Sequence, residues 1–408
     1  MVLSDFYFYN VTKSLIANWK SAKSIKIGFW STTVLILGTF AYGYWMVLNG
    51  TPLPSKFRLF VQGLVICIFV PRILAMSVFV LDDIIRLGKW IYSLFAANSV
   101  NETNVSGISR SKFLQLTGLG VFGVFFTALT YGVFKGAYNY KVIKQKLKIA
   151  NLPNAFKGLK IVQISDLHVG SFFSTEPLEK AIQMINDLEA DLIFFTGDLV
   201  NEISEEAIPY IPVLSKMKAK EGIYSVLGNH DYGDYYYRKD DPDIEVNKKH
   251  NKDLMKSIHS DSGFNLLLDE NVTLKRGEES ISIIGVENWG AKANFPQYGK
   301  LNKAMQGTEK SAVKLLLSHD PSHWEAQVQK DQPEIDVTFS GHTHGMQFGI
   351  EIPGFKWSPV KYLYRQWAGL YSSGKQQLYV NRGLGFVGYP GRVGISPEIT
   401  FFELESES

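Results

Sequence analysis

Asp166 and His168 stand two positions apart at the end of the apolar run Ile161-Val162-Gln163-Ile164. In an extended chain, residues i and i+2 point to one side, so both side chains can aim at one point just past a strand. Carboxylate oxygens and imidazole nitrogens suit a divalent cation. A lone Asp-x-His is more often a pair of surface residues. Here the construction recurs. Residues 191–196 lead into Gly197-Asp198, 222–227 into Gly228-Asn229-His230-Asp231, 313–317 into Ser318-His319-Asp320, and 336–340 into Gly341-His342-Thr343-His344-Gly345. Side chains at the carboxyl ends of neighbouring strands gather in one crevice. Glycines let the chain turn sharply and bring backbone close to a bound ion.

The elements that must position these residues follow from the pattern. From Ile161 onward, strands alternate with helical stretches. A helix is expected over 175–190, with Pro177 near its start and Leu178, Ile182, Ile185 and Leu188 on one face. A short helix is expected over 207–219, a loop over 232–243 and a helix over 253–262. Strands follow at 264–268, 272–275, 280–286 and 377–380. Residues 161–404 suffice for one sizeable core. The segment 141–150 reads as a basic connector, and 151–160 as an entry loop. His250, His259 and His323 lack ligand partners at useful spacing and are expected at the surface, with His323 near the site through the loop at Ser318-His319.

The N-terminal third reads as a membrane region. Residues 27–48, 59–81 and 113–134 are apolar runs long enough to cross a hydrocarbon core of about 30 Å. The second contains Arg72 beside Pro71. A mid-span arginine is costly unless it faces protein or water, so a re-entrant or interfacial hairpin is the rival reading there. Gly118, Gly120 and Gly123 in the third run fit close helix packing better than a dinucleotide fingerprint, since no βαβ context surrounds them. Ser109-Arg110-Ser111-Lys112 reads as a basic anchor at the membrane boundary. Lys13, Lys20, Lys23 and Lys26 favour a cytoplasmic N-terminus, and three spans would then place the remainder outside. Lys135, Lys141, Lys144, Lys146 and Lys148 oppose that assignment; an external catalytic domain is the orientation adopted.

The formal net charge of the 408 residues is +3, which carries no nucleic-acid footprint. Cys67 is the only cysteine, so a disulfide framework is impossible and a zinc–thiolate site has no basis.

Taken in order, the five blocks Asp166-Leu167-His168, Gly197-Asp198, Gly228-Asn229-His230-Asp231, Ser318-His319-Asp320 and Gly341-His342-Thr343-His344 resemble the signatures of calcineurin-like metallophosphoesterases. The resemblance covers about 159–404. It is closest to a branch with N-terminal membrane segments, which includes enzymes similar to UDP-2,3-diacylglucosamine pyrophosphatases of lipid A synthesis. It implies an α/β fold, a four-layer α/β/β/α sandwich preceded by a helical transmembrane region. The organisation expected is a basic interfacial segment (1–26), a transmembrane region (27–134), a basic linker (135–158) and a catalytic domain (159–405).

The resemblance also implies roles. Asp166, His168 and His344 would hold one metal and Asn229, His319 and His342 a second, with Asp198 bridging the two. His230 would act on the leaving oxygen. Manganese is the first choice for both ions, with iron or zinc as alternatives. Asn201 stands where the protein-phosphatase branch has an acid, and the arginines of that branch are missing, which disfavours a phosphoprotein substrate. Met346 replaces a glycine common in the membrane-linked branch. Arg382 and Arg392 resemble parts of the family's C-terminal block and are candidates for phosphate contact, a surface ion pair being the alternative for each. Residues 356–371 mix aromatic and basic side chains and suggest a lid at a bilayer surface, or a loop folded on the core.

The function implied is membrane-anchored, multi-pass, dimetal hydrolysis of a phosphoester or pyrophosphate in a lipid-linked substrate such as UDP-2,3-diacylglucosamine. Soluble nucleotides, or a non-catalytic metal-binding scaffold, are the alternatives. The expected partners are a phosphorylated small molecule or lipid and the bilayer, with no nucleic acid and no protein partner.

Overall fold

The computed structural model describes residues 2–49, 55–95, 109–238 and 240–407. Residues 50–54 and 96–108 of the membrane region lie outside the described residues. The chain divides into two compact units, with the boundary between Val133 and Phe134.

The first unit contains α1 (Val2–Ile16), α2 (Ala22–Leu48), α3 (Ser55–Phe95) and α4 (Arg110–Phe134). The last three are long and apolar enough to cross a membrane. α3 passes through 59–81 as one helix, with Pro71 inside it, so the chain forms no hairpin there. Arg72 is compensated within the protein: its Nη1 lies 2.5 Å from Asp5 Oδ1 and its Nη2 donates to Thr32 Oγ1 at 3.1 Å. Asp5 Oδ2 accepts from Thr33 Oγ1 at 2.7 Å.

The segment expected to be basic and interfacial over 1–26 also carries packing contacts. Its residues 2–16 form a helix that brings a buried acid to Arg72, and Phe8 of that helix packs with Phe29, Phe79 and Phe122. Gly118 lets α4 approach α3, since a Cβ there would meet the Phe79 ring at 2.2 Å. Gly120 and Gly123 have no such neighbour.

The second unit begins with β1 (Lys141–Ile149), where a connector was expected. From Lys144 the side chains alternate: Leu147 and Ile149 are buried, while Lys144, Lys146 and Lys148 face solvent. That period of two is an edge strand with one wet face. β1 pairs in parallel with β14 (Glu398–Ser406), and Lys146 forms an ion pair with Glu405. The linker expected over 135–158 thus belongs to the folded unit.

The first sheet adds β2 (Lys160–Ile164), β3 (Leu192–Phe195), β4 (Ile223–Ser225) and β5 (Asn265–Leu266), in the order β1-β14-β2-β3-β4-β5. The second contains β6 (Glu270–Arg276), β7 (Glu279–Gly285), β8 (Val313–Leu317), β9 (Val337–Ser340), β12 (Gly369–Ser373) and β13 (Gln376–Val380), in the order β12-β13-β9-β8-β7-β6. A separate hairpin joins β10 (Ile350–Ile352) to β11 (Phe355–Trp357).

Leu192 and Phe194 of the first sheet pack with Ile283, Leu315, Leu317 and Phe339 of the second. Ile284 and Leu316, on the opposite face of the second sheet, pack with Trp324 and Val328. Burial on both faces accounts for the continuous apolar runs of these strands. Helix α5 (Glu176–Asn186) buries Leu178, Ala181, Ile182 and Ile185. Helix α6 (Ile244–Asp261) buries Met255 and Ile258 and starts nine residues before the helix expected over 253–262. The expected helix over 207–219 is a 3-10 turn, Ser204–Tyr210, followed by one α turn, Ile211–Leu214.

Candidate metal centre

β2, β3 and β4 are parallel neighbours in one sheet, and β8 and β9 are parallel neighbours in the other. Their carboxyl ends lead into the five blocks. The strands stop at Ile164, Phe195, Ser225, Leu317 and Ser340, before the ligand-type residues begin. Asp166 and His168 do not converge through the strand pleat, because both are left-handed, with φ of 51° and 46°. Asp198, His342 and His344 share that conformation, with φ of 58°, 71° and 50°. Left-handed backbone costs a non-glycine residue free energy and persists only where surroundings fix it.

Two groups of atoms form around the expected ligands, and a third, His168, Asp198 and His230, overlaps the first. In the first, His344 Nε2 lies 3.0 Å from His168 Nε2 and 3.3 Å from Asp166 Oδ1, and His168 Nε2 is 3.6 Å from Asp198 Oδ2. In the second, His342 Nδ1 lies 2.8 Å from Asn229 Oδ1 and 3.3 Å from His319 Nε2. His319 Nε2 is 3.2 Å from Asn229 Oδ1 and 3.1 Å from Asp198 Oδ2. Asp198 Oδ2 is the atom common to both groups.

The donor chemistry fits cations. His319 Nδ1 faces the Thr196 carbonyl at 2.7 Å, and a carbonyl only accepts, so the Nδ1 carries a proton and Nε2 is the atom turned to the centre, where an ion would displace its proton. Burial pushes His168 down to about 3 and His342 down to about 4, and it also holds His344 well below the imidazole range. Burial raises Asp166 to about 6. Burial also opposes charge on His319 and Asp198, but their mutual attraction prevails, raising His319 and lowering Asp198. Three imidazoles held neutral, a fourth drawn toward positive charge by Asp198, and buried carboxylates at these distances are an arrangement that positive ions satisfy.

The glycines act at particular places. Gly197 has φ of 93° and makes the turn after β3. At Gly228 a Cβ would meet Asp198 Oδ1 at 2.2 Å, and at Gly341 it would meet Asp166 Oδ2 at 2.3 Å. The close approach is to the carboxylates themselves.

His230 is half-buried, its ring beside His168 and Tyr235. Its Nδ1 donates to the main-chain carbonyl of Asn201 at 2.6 Å, which leaves Nε2 free. The Asn201 side chain is engaged elsewhere, accepting from Ser171 Oγ at 3.1 Å.

Arg382 and Arg392 do not point free donors at the centre. Arg382 is buried and pairs with Glu398 and, at 2.5 Å, with Glu351. Arg392 is buried and donates through Nη2 to the carbonyls of Arg382 at 2.8 Å and Gly385 at 2.6 Å, 3.2 Å from His344 Nδ1. Glu398, invisible to motif reasoning, takes the partner role that a phosphate was expected to fill. The surface placement of two histidines is also corrected: His259 and His323 are buried, bonding Ser225 and Ser318 at 2.8 Å each, whereas His250 is exposed.

Two further groups escaped the sequence reading. Asp231 accepts from the backbone N–H groups of Asp198 and Gly228 at 2.9 Å, Leu199 at 2.8 Å and Val200 at 3.2 Å, tying the loop after β3 to the loop after β4. The acid that closes the Gly228-Asn229-His230-Asp231 block was the available signal. Tyr364, within the aromatic and basic stretch, places its hydroxyl 2.9 Å from His342 Nε2 and donates to Asp320 at 3.2 Å.

Two family models match: residues 1–137 fit "Probable Calcineurin-like phosphoesterase, transmembrane domain", and residues 159–346 fit "Calcineurin-like phosphoesterase". The metallophosphoesterase YkuE of Bacillus subtilis is 31% identical over 314 residues, covering 73% of this chain and 98% of that protein. The chain belongs to the calcineurin-like phosphoesterase family. This phosphoesterase is 27% identical over 407 residues to a zebrafish (Danio rerio) "Transmembrane protein with metallophosphoesterase domain", covering 98% of this chain and 86% of that one. It is 30% identical over 280 residues to the UDP-2,3-diacylglucosamine pyrophosphatase LpxG of Chlamydia muridarum, covering 57% and 81%. As a family member with candidate metal-holding groups, it is a metal-dependent hydrolase with a membrane region.

Proposed function

We propose that this phosphoesterase is a dimetal enzyme that cleaves a phosphoester or pyrophosphate bond in a lipid-linked substrate, with UDP-2,3-diacylglucosamine as the first candidate. The observation that carries it is the double cluster around Asp198 Oδ2. Similarity to LpxG and the membrane region support the substrate class.

In this reading Asp166, His168 and His344 would hold one ion, Asn229, His319 and His342 the other, and Asp198 would serve both. Manganese is the first choice, with iron or zinc as alternatives. Divalent ions so held would supply Lewis acidity and a water nucleophile at neutral pH. The chain's own residues do the rest. Thr196 and Tyr364 orient the imidazoles, and Asp231 fixes the backbone of Asp198. His230, its Nδ1 proton held by Asn201, carries a proton to the leaving oxygen through Nε2. Arg382 and Arg392 shape the loop beside the centre. Its rim is aromatic, with Tyr235 against His230 and Phe295 against His342, which suits a substrate with a substantial uncharged part. The protein would be multi-pass in a cytoplasmic membrane with its catalytic unit outside.

Purified protein in detergent, offered a panel of lipid and nucleotide phosphoesters with manganese, tests this. The lipid-linked pyrophosphate should turn over fastest, and Asp198→Asn should lose nearly all activity together with one ion. Preference for soluble nucleotides would replace the substrate class. Full activity in Asp198→Asn would remove the bridging role.

A further inference from the structure

The β10–β11 hairpin is amphipathic and open to solvent on both faces. Its register pairs Ile350 with Trp357, Glu351 with Lys356 and Ile352 with Phe355. Alternation therefore places Ile350, Ile352, Phe355 and Trp357 on one face and Glu351 and Lys356 on the other. In a two-stranded ribbon on a soluble domain, the charged face would look outward. Here the charged face is exposed but already engaged by the protein. Glu351 pairs with buried Arg382 at 2.5 Å. Lys356 donates to the Ala368 carbonyl at 2.5 Å and lies over the Trp367 and Tyr371 rings. The apolar face has no such partners and is open to solvent too, with Ile350 50%, Ile352 58% and Phe355 52% exposed and Trp357 half-buried. The turn that follows adds Tyr362 and Leu363, 73% and 63% exposed, flanked by exposed Lys361 and Arg365.

We propose that this apolar face docks into the leaflet of the membrane that the chain's own helices span. Ile350, Ile352 and Phe355 would enter the acyl boundary. Tyr362, Lys361 and Arg365 have the amphipathic and cationic character that sits at headgroup level. Two observations select lipid over other occupants. Only residues 135–140 separate the end of α4 from the start of β1. At no more than about 3.6 Å per residue, so short a tether bounds how far the start of β1 can be from the end of the membrane helix. The exposed apolar side chains are also followed in the chain by exposed Lys361, Tyr362 and Arg365, a cationic and aromatic set that suits a headgroup layer better than a second apolar protein face. The same segment reaches the centre, since Met346 follows the His344 block and Tyr364 bonds His342. Docking rests on the membrane-anchored reading above, and not on the identity of the substrate.

The test uses the full chain with Cys67→Ser and Phe355→Cys, labelled with an environment-sensitive fluorophore. It is reconstituted in vesicles of phosphatidylethanolamine and phosphatidylglycerol containing a shallow doxyl-labelled lipid. Lys375→Cys, in the exposed turn between β12 and β13, is the control position. The expected result is blue-shifted emission at 355 and quenching several-fold stronger than at 375, with equal unfolding temperatures for the two proteins. Equal quenching at both positions overturns the proposal. So does a shift at 355 that follows protein density rather than doxyl content, which would assign the face to a second copy. Strong quenching without turnover of the lipid-linked substrate would reject the substrate class and leave docking intact, and turnover without quenching would do the reverse.

Discussion

Asp231→Asn is the sharpest probe of how the centre is built. The parent carboxylate accepts from four main-chain donors, two on each oxygen. The isosteric amide keeps one oxygen and sets an NH2 group against the other two donors. Two hydrogen bonds to a charged group, at about 1.5–3 kcal/mol each, are lost and two buried N–H groups are stranded. Relief of a buried charge offsets part of this, leaving a loss of about 3–5 kcal/mol. For a unit of this size that lowers the unfolding midpoint by roughly 6–15 °C. The assay is thermal unfolding of the full chain in detergent at fixed manganese, beside hydrolysis of a soluble chromogenic phosphodiester. Activity should fall with stability, because one donor is the backbone of Asp198. A midpoint within a degree or two of the parent, with unchanged turnover, would refute the claim that Asp231 holds the two strand ends together.

Tyr364→Phe deletes the bond to His342 Nε2 and should weaken binding of one ion about tenfold or more, measured by dialysis and metal analysis; equal retention would disprove the orienting role. Burial pushes His259 down to about 3, so the folded state leaves it neutral while the unfolded chain protonates near 6.5. Its stabilisation is complete above the unfolded value and declines as pH falls toward 3, by about 2 kcal/mol between pH 7.5 and 5, and His259→Phe should flatten that part of the denaturation profile. In the helical unit, Arg72→Leu strands Asp5 and should cost about 3–5 kcal/mol, whereas Asp5→Leu with Arg72→Leu should recover most of it, read as unfolding temperature in detergent. No recovery in the double variant would mean that the pair is not what Arg72 contributes.

The strand-end blocks were legible because two local signals coincide there: a β-branched apolar run and a chemically distinctive side chain directly after it. What stayed hidden depends on partners far along the chain. β1 read as a basic connector because its lysines dominate the composition, and the strand it pairs with begins at Glu398. Arg382 looked available for phosphate because nothing local shows that Glu398 and Glu351 will claim it. The buried acid at position 5 was unreadable for the same reason, its arginine lying at position 72. The left-handed turns at Asp166 and His168 were also hidden, since convergence by pleat and convergence by turn look alike in one dimension.

The first sheet has the order β1-β14-β2, so its last strand is inserted between its first two. A ribosome releases Lys141–Ile149 and Lys160–Ile164 long before Glu398–Ser406 exists. During that interval β2 lacks one neighbour and β1 has none, and both edges are open to mispairing. The first sheet therefore cannot close until Glu398–Ser406 has been made, and removing that nine-residue strand should leave a chain that inserts but never closes, a substrate for proteolysis rather than a weakened enzyme.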